Sequence, residues 1–141
     1  MKNLNVYVAD LGVTYIKLHN LHWNVTGFAF KQVHEFLEAL YDDRTEKFDE
    51  VAEAIKMREE FPPASLKEFL ELTQIEELPV KDYTNKEAIE IVLKDVEKTR
   101  EFATELRNKA DEAGDFTLVA MLEDHVAGYD KEIWFMKSML K

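Results

Sequence analysis

The residues of this chain that could bind a metal ion are histidines and carboxylates, since the sequence contains no Cys. His22 lies on the apolar seam of one predicted helix, and His34 and Glu38 lie one turn apart near the start of the next. A hairpin that turns near Gly27 would place the two histidines at similar heights on facing helices. Imidazole nitrogens and carboxylate oxygens together favour Fe, Mn or Zn, whereas metals that prefer soft ligands would need thiolates.

Two further carboxylates, Asp49 and Glu53, lie on the same broad stripe of the second predicted helix as His34. Asp49 is about 22 Å from His34 along a straight helix, so the two cannot share a metal within one subunit. If two copies of the helix pack antiparallel, His34 lies opposite Glu53 of the other copy, and Glu38 lies opposite Asp49 of the other copy. Both pairs have the same midpoint along the helix, so a single two-fold axis can produce both. The predicted site at each interface therefore contains His22, His34 and Glu38 from one subunit, and Asp49 and Glu53 from its mate.

A solvated acidic face and a di-iron site within one bundle are the alternatives to this intersubunit site. A solvated face would show similar spacings, because the same helix also carries Asp42, Asp43, Glu46 and Glu50. A di-iron site inside one bundle usually uses Glu-x-x-His motifs on two helices. No histidine of this chain has a Glu three residues before it, which weakens the intrasubunit alternative.

Helical periodicity predicts the two elements that must position these residues. Apolar residues at four-three spacing run from Leu4 to Val25 and indicate a first helix that stops near Gly27. A second helix is predicted from Phe30 to about Met57. Both candidate histidines and all three candidate carboxylates fall on this pair of helices.

Capping signals mark the remaining helices. Ser65 begins a short helix through about Leu72, and Thr84 begins a third long helix, each with a Glu three residues later. Gly114-Asp115 ends that helix and caps the next one, which runs from about Phe116 to near the C-terminus. We therefore predict an all-α four-helix bundle with a short extra helix between helices two and three.

Composition narrows the class of protein further. The 141 residues are 46% hydrophobic and include only 4 Gly and 3 Pro, which predicts one domain over residues 1–141 rather than a disordered chain or a turn-rich β fold. The lack of Cys excludes disulfide scaffolds, thiolate zinc sites and cysteine nucleophiles. Because no signal-peptide pattern and no membrane-length apolar run is present, we expect a soluble, cytoplasmic protein with no membrane partner.

Three runs of residues resemble two conserved motifs of a known family. The runs His22–Gly27 and Val33–Glu38 closely resemble the first conserved motif of the Dps family of miniferritins, and Phe48–Glu53 resembles the second. The resemblance covers essentially the whole chain, including the short helix at Ser65–Leu72 and the Ile133–Met136 stretch. The ligands that it implies are His22, His34, Glu38, Asp49 and Glu53, which is the set that the spacing argument selects independently. Glu38 occupies a position that is often Asp in this family.

What the resemblance implies is a ferritin-like bundle that assembles into a hollow homododecamer with 23 symmetry. Members of the family are ferroxidases: they bind two irons at each intersubunit site on the two-fold interfaces, oxidise Fe(II) to Fe(III), typically with hydrogen peroxide, and store the ferric mineral inside the shell. This activity would protect the cell against oxidative stress. The alternative is an acidic helical interaction protein, recognised by immune cells at a surface, whose metal site is structural.

Three further expectations accompany the resemblance. Trp23 follows His22, as in many members, and we favour packing beside the site over interception of oxidising equivalents. Asp111, Asp115 and Glu123 are candidates for lining the pores that admit Fe(II). Direct DNA binding is not expected, because a formal charge of −11 per subunit, −132 for twelve, repels phosphate and no Lys/Arg-rich tail is present.

Overall fold

The computed structural model describes residues 3–141 and divides them into two compact units, residues 3–88 and Ile89–Lys141. The described residues form five helices and two very short strands. In chain order these are α1 (Leu4–Asn24), β1 (Val25–Thr26), α2 (Phe30–Met57), α3 (Leu66–Leu72), β2 (Tyr83–Thr84), α4 (Asn85–Glu112) and α5 (Phe116–Met139). Within this part of the chain, no helix has both the length and the apolar character that a membrane crossing requires.

In the first unit, α1 and α2 form an antiparallel hairpin. His22 lies beside His34, and Tyr15, earlier in α1, lies beside Tyr41, later in α2. The predicted apolar seam is largely buried, although Phe30 at the start of α2 is 42% exposed. The buried seam residues include Val8, Leu11, Leu18, Leu37, Val51 and Ile55.

The turn between α1 and α2 is held by residues distant in sequence. Val25 pairs with Tyr83 in a two-residue parallel ladder between β1 and β2, which helical periodicity does not predict. The α2 N-terminus has no side-chain cap of its own; instead the backbone N–H of Ala29 donates to the side-chain oxygen of Asn85 at 3.0 Å. Gly27, the predicted stop, has a φ of +129°, which L side chains rarely adopt. These contacts set where α2 begins relative to the end of α1.

The segment around α3 confirms its predicted start and is attached to α1. The Ser65 side chain accepts a hydrogen bond from the Glu68 N–H, as a capping box requires. Beyond the helix, the buried Asp10 of α1 accepts hydrogen bonds from the Thr73 hydroxyl at 2.8 Å and from the backbone and side-chain nitrogens of Gln74 at 2.6 and 2.8 Å. Burying the Asp10 carboxylate is tolerated because these donors replace water.

The second unit consists of the greater part of α4 and α5. Gly114 adopts a φ of +72° at the turn, and the Asp115 side chain caps α5 by accepting from the Leu118 N–H, as predicted. Arg100 of α4 bonds Asp130 of α5. The helices occur in the predicted order, and Ser65 and Asp115 cap as predicted. The first helix ends at Asn24, three residues before the predicted stop at Gly27, because Val25 pairs with Tyr83 in a strand instead of continuing the helix.

Candidate metal centre

His22, His34 and Glu38 converge next to the turn that joins α1 to α2. One potential ligand atom from each of the three lies within 4.8 Å of the others, and no other group of three His, Cys, Asp or Glu in residues 3–141 does so. The His22 Nε2 is 3.9 Å from a Glu38 carboxylate oxygen. His22 is buried, whereas the Glu38 side chain is 52% exposed, so the triad opens toward the surface.

The two imidazoles are oriented by reciprocal backbone hydrogen bonds. His22 Nδ1 lies 2.7 Å from the carbonyl oxygen of His34, and His34 Nδ1 lies 2.7 Å from the carbonyl oxygen of His22. Because a carbonyl oxygen can only accept, each Nδ1 carries a proton, and in the neutral imidazole the lone pair is then on Nε2. The rings stack with centroids 3.6 Å apart and planes 12° apart. Both ligand nitrogens are therefore presented in the tautomer that binds a metal, before any metal arrives.

Aromatic rings surround the histidines. Phe30 stacks on His34 at 4.9 Å, and Tyr41 meets His22 edge-on at 5.2 Å. Tyr41 also stacks on His19 at 3.8 Å. Removal from water, and then the negative charge of the nearby Glu38, raise the pKa of the Tyr41 hydroxyl. The phenol is therefore neutral at physiological pH.

Comparison with known proteins agrees with the geometry. A family model described as a ferritin-like domain matches residues 1–141. Antigen TpF1 of Treponema pallidum (strain Nichols) is 39% identical over 140 residues, covering 99% of this chain and 79% of that protein. The DNA protection during starvation protein of Helicobacter pylori (strain J99) is 33% identical over 132 residues, covering 94% of this chain and 92% of that protein. The crystal structure of a Dps protein from Bacillus brevis matches with a TM-score of 0.94 at 34% identity, covering 98% of this chain and 92% of that one.

The chain belongs to the Dps family of ferritin-like proteins. Membership confirms the predicted all-α, ferritin-like fold, and the hollow dodecamer is the assembly typical of Dps proteins. Iron storage and protection against oxidative stress are general to the family, as is the binding of iron.

The other two predicted ligands of this Dps chain lie apart from the triad. Asp49 and Glu53 are exposed on the second half of α2. Helix geometry separates Asp49 from His34 by about 22 Å along the axis, so a single subunit does not bring all five residues together. Their assignment to the mate's site stays a prediction.

The candidate pore residues all have partners within the second unit. Arg107 of α4 lies 3.1 Å from Glu123 of α5 and 3.6 Å from Asp111 of its own helix. Asp115 is engaged as the cap of α5. Any role of Asp111 and Glu123 in passing Fe(II) must therefore operate beside the Arg107 guanidinium, which partly offsets their charge.

Sequence reasoning missed the aromatic arrangement around the triad of this Dps chain. The predicted site does not include Tyr41, although this residue lies one helical turn after Glu38 and two turns after His34. The spacing His19-x-x-His22-Trp23 could have predicted an aromatic cluster beside His22, since residues three and four apart share a helix face. The reciprocal hydrogen bonds between ring nitrogens and backbone carbonyls could not be predicted from the spacing of side chains in the sequence.

Proposed function

We propose that this protein is a ferroxidase that oxidises Fe(II), preferably with hydrogen peroxide, and stores the ferric product inside a dodecameric shell. Each intersubunit site would bind two irons between His22, His34 and Glu38 of one subunit and Asp49 and Glu53 of its mate. Fe(II) and hydrogen peroxide are substrates in this proposal, and iron is not a resident structural ion.

The observation that carries the proposal is the cross-bonded histidine pair. Two Nε2 lone pairs are fixed by backbone hydrogen bonds, and an exposed carboxylate lies 3.9 Å from one of them. A histidine pair that served packing alone would not need both Nδ1 protons directed to backbone carbonyls, away from a shared carboxylate. This arrangement is the orienting shell that metal-binding histidines typically have.

The predicted ligand set also suits oxidation. Three carboxylates and two neutral imidazoles provide hard oxygen donors that favour the higher charge of Fe(III) over Fe(II). Two Fe(II) ions supply the two electrons that hydrogen peroxide requires, and with two protons the products are two Fe(III) and two waters. Because both electrons leave the site together, no hydroxyl radical is released.

The half-site within one subunit is too small for this reaction. His22, His34 and Glu38 offer three ligand residues, and two irons need more donors than these. The Glu38 carboxylate is exposed on the outer side of the hairpin. A second copy of the chain can contribute ligands on that side. Asp49 and Glu53 are exposed at the distance along α2 that an antiparallel mate would bring to the triad.

The test is size-exclusion chromatography with inline iron detection, after addition of Fe(II) and then hydrogen peroxide. Twelve subunits of 16.5 kDa should elute as a shell of about 200 kDa. We expect iron to co-elute with that shell and peroxide to be consumed. Elution as a monomer or dimer, or a shell that neither takes up iron nor consumes peroxide, would contradict the proposal.

The same measurement distinguishes the ferroxidase proposal from the alternative function. An acidic helical interaction protein with a structural site would bind metal without consuming peroxide, and one relative carries the name of an antigen. Turnover of peroxide is therefore the deciding quantity, since surface recognition and ferroxidase activity are compatible in one protein.

Two finer predictions accompany the proposal. Absence of direct DNA binding is expected from the charge of −11 per subunit, and a gel shift of plasmid by metal-free protein at low micromolar concentration would overturn it. A cytoplasmic location for the reaction stays a prediction.

A further inference from the structure

α2 has two exposed large apolar side chains, and they belong to its first and last residues. The structure describes the whole of this helix, and among its large apolar residues only Phe30, at 42%, and Met57, at 78%, are exposed. The midpoint of these two positions lies between Asp43 and Arg44, where the midpoint of both predicted ligand pairs also lies. An antiparallel mate that completes the candidate metal centre would therefore bring Phe30 of one subunit opposite Met57 of the other.

Both residues continue the rows of side chains that carry the candidate ligands. Side chains four residues apart form ridges on a helix, and two helices commonly pack with such ridges interdigitated. On α2, one ridge consists of Phe30, His34, Glu38 and Asp42, and a second consists of Thr45, Asp49, Glu53 and Met57. In the antiparallel pair, each residue of the first ridge lies opposite a residue of the second ridge of the mate. The apolar residues therefore lie at the ends of the contact that brings the mate's carboxylates to the histidines.

Phe30 connects this contact to the candidate metal centre. Its ring stacks on the His34 imidazole, with centroids 4.9 Å apart and planes 24° apart. A methionine side chain is flexible, and its sulfur makes favourable contacts with aromatic rings. Met57 of the mate can therefore pack on the exposed part of the Phe30 ring. Two apolar side chains would then separate the His34 imidazole from solvent at this end of the site.

Two lysines beside the apolar residues do not prevent this contact. Lys31 and Lys56 would also lie opposite each other in the antiparallel pair, and their like charges would repel. Each lysine is engaged within its own subunit. The Lys31 Nζ lies 3.7 Å from a carboxylate oxygen of Glu35, and the Lys56 Nζ lies 3.9 Å from the ring centroid of Phe61. The carboxylate and the ring face each offset part of the positive charge.

We propose that Met57 of one subunit packs on Phe30 of its mate and forms the apolar end wall of each iron site. The partner that covers this part of α2 is thus a second copy of the chain. Met57 is a positioning residue, because by covering Phe30 it holds that ring against the His34 imidazole. This inference rests on the proposed function for the identity of the metal, whereas the contact itself forms without metal.

Disulfide trapping in assembled, metal-free shells tests the contact, since the chain itself contains no Cys. Phe30→Cys combined with Met57→Cys should form disulfides on oxidation with diamide, and denaturing electrophoresis should then show a covalent dimer. The two positions are about 40 Å apart along one α2, so a disulfide between them must join different subunits. Mass spectrometry of the linked peptides identifies both positions.

Gln32→Cys combined with Met57→Cys is the matched control. Gln32 is also exposed in the first turn of α2, but it lies about 200° around the helix from Phe30. We expect several-fold more covalent dimer from Phe30→Cys with Met57→Cys than from this control, because a disulfide needs Cα atoms within about 7 Å of each other. Equal amounts from the two pairs, or no dimer from either, would overturn the inference.

Wild-type shells give a second test that needs no substitution. Chloramine-T oxidises accessible methionines to sulfoxides, which mass spectrometry locates. With its side chain 78% exposed in a single subunit, Met57 would be oxidised almost as fast as in the urea-unfolded chain if no mate covered it. Packing on Phe30 of the mate should make its oxidation several-fold slower in the shell. Equal rates in the shell and in the unfolded chain would contradict the contact.

The positioning role is tested with Met57→Ser and Met57→Leu. Serine removes the apolar cover, so Fe(II) affinity should fall by up to about 10-fold, the lower end of the effect of residues that orient metal-binding histidines. Leucine keeps an apolar side chain of similar volume and should restore most of that loss. Anaerobic titration of metal-free shells with Fe(II) measures both. Equal affinities for Met57→Ser and wild-type protein would show that Met57 does not position the site.

The contact and the ferroxidase function are tested by separate readouts. Trapping and methionine oxidation are measured without iron, whereas Fe(II) oxidation by peroxide is followed on wild-type shells. If wild-type shells oxidise Fe(II) but Met57 is neither trapped with Phe30 nor protected, only this inference is wrong. If the covalent dimer forms and wild-type shells do not oxidise Fe(II), the contact is supported and the ferroxidase proposal is wrong.

Discussion

The first half of α2 carries His34 and Glu38 beside His22, whereas its second half carries Asp49 and Glu53 exposed to solvent. In the first half, reciprocal hydrogen bonds and stacked rings hold the ligand nitrogens in place. In the second half, the carboxylates have several rotatable bonds and face outward. One end of the helix is thus preorganised within the subunit, and under the proposed function the other would offer ligands to a neighbour.

The two halves would therefore contribute differently to metal affinity and to completion of the site by a neighbouring subunit. A preorganised histidine pair loses little conformational entropy when it binds metal, whereas a flexible carboxylate loses more. Under the proposed function, the first iron would be held chiefly by the fixed half. The mobile carboxylates of the mate would then adapt to the change from Fe(II) to Fe(III). Four measurements test this comparison.

The largest expected effect is complementation between two inactive variants. Subunits with His22→Ala and His34→Ala keep the acidic half, and subunits with Asp49→Ala and Glu53→Ala keep the histidine half. Alone, each variant should oxidise Fe(II) more than about 100-fold slower, since even residues behind the ligands change metal affinity or activity by 10- to 100-fold. Shells reassembled from an equal mixture should regain about a quarter of the wild-type sites, as random pairing across a two-fold interface gives.

Preformed shells of the two variants, mixed without dissociation, are the control and should stay inactive. Stopped-flow oxidation of Fe(II) measures the rates. If the reassembled mixture stays inactive, or if Asp49→Ala with Glu53→Ala retains the wild-type rate, the two halves do not meet at an interface.

The next effect concerns Glu38, the exposed member of the triad. Glu38→Gln preserves shape but removes the negative charge, so Fe(II) affinity should fall by about 10- to 100-fold. Glu38→Asp keeps the carboxylate and should lose less than Glu38→Gln. Titration of metal-free shells with Fe(II) under anaerobic conditions measures both. Equal affinities for Glu38→Gln and wild-type protein would show that only the histidines of this half bind metal.

Helix positions proved predictable because their signals are local. The bounds of α2, Phe30–Met57, follow from its apolar period and the turn before it, and Ser65 and Asp115 cap their helices as expected. Proximity of His22 and His34 also followed, because a short turn forces antiparallel helices to align their adjoining ends.

What could not be predicted depends on contacts between distant residues. The pairing of Val25 with Tyr83 joins two-residue strands that are too short to show a period. The Asn85 side chain accepts from Ala29, the residue before α2, which lies 56 residues earlier in the chain. The stacking of Tyr41 on His19 depends on rotamers and on the crossing of two helices, which residue spacing alone does not determine.

Gly27 tests how the histidine half is held in place. A Cβ at this position would lie 2.5 Å from the Asn85 side-chain oxygen that accepts from Ala29, at a φ of +129°. Gly27→Ala should therefore cost about 1–3 kcal/mol and lower the melting temperature by about 3–10 °C. It should also slow Fe(II) oxidation, because the start of α2 shifts relative to His22.

Gly114→Ala is the matched control, with a φ of +72° but no atom within 4 Å of the added carbon. It should cost about 1 kcal/mol, from backbone strain alone, and leave the oxidation rate unchanged. Calorimetry of both variants measures the difference. Equal melting temperatures for the two would mean that the Asn85 contact does not hold the turn.

The smallest effect lies at Asp43, midway between the two halves of α2. Its carboxylate accepts from the Arg44 guanidinium at 2.6 Å and from the Lys47 ammonium at 2.7 Å, and both of these cations are buried. Burial raises the pKa of Asp43, but the Lys47 hydrogen bonds and the Arg44 charge outweigh it, so the pKa lies below its ordinary 3.8. A lowered folded-state pKa means that this stabilisation is present above pH 3.8 and is lost as the pH falls through the folded-state pKa.

Asp43→Asn should therefore lower stability at pH 7 by about 1 kcal/mol, because the carboxylate is partly solvated and the cations retain other contacts. The difference from wild-type protein should shrink below pH 4. Urea unfolding at pH 7 and pH 3 measures it, with the exposed Asp42→Asn as control. If Asp43→Asn unfolds at the wild-type urea concentration at pH 7, the middle of α2 does not depend on this cluster.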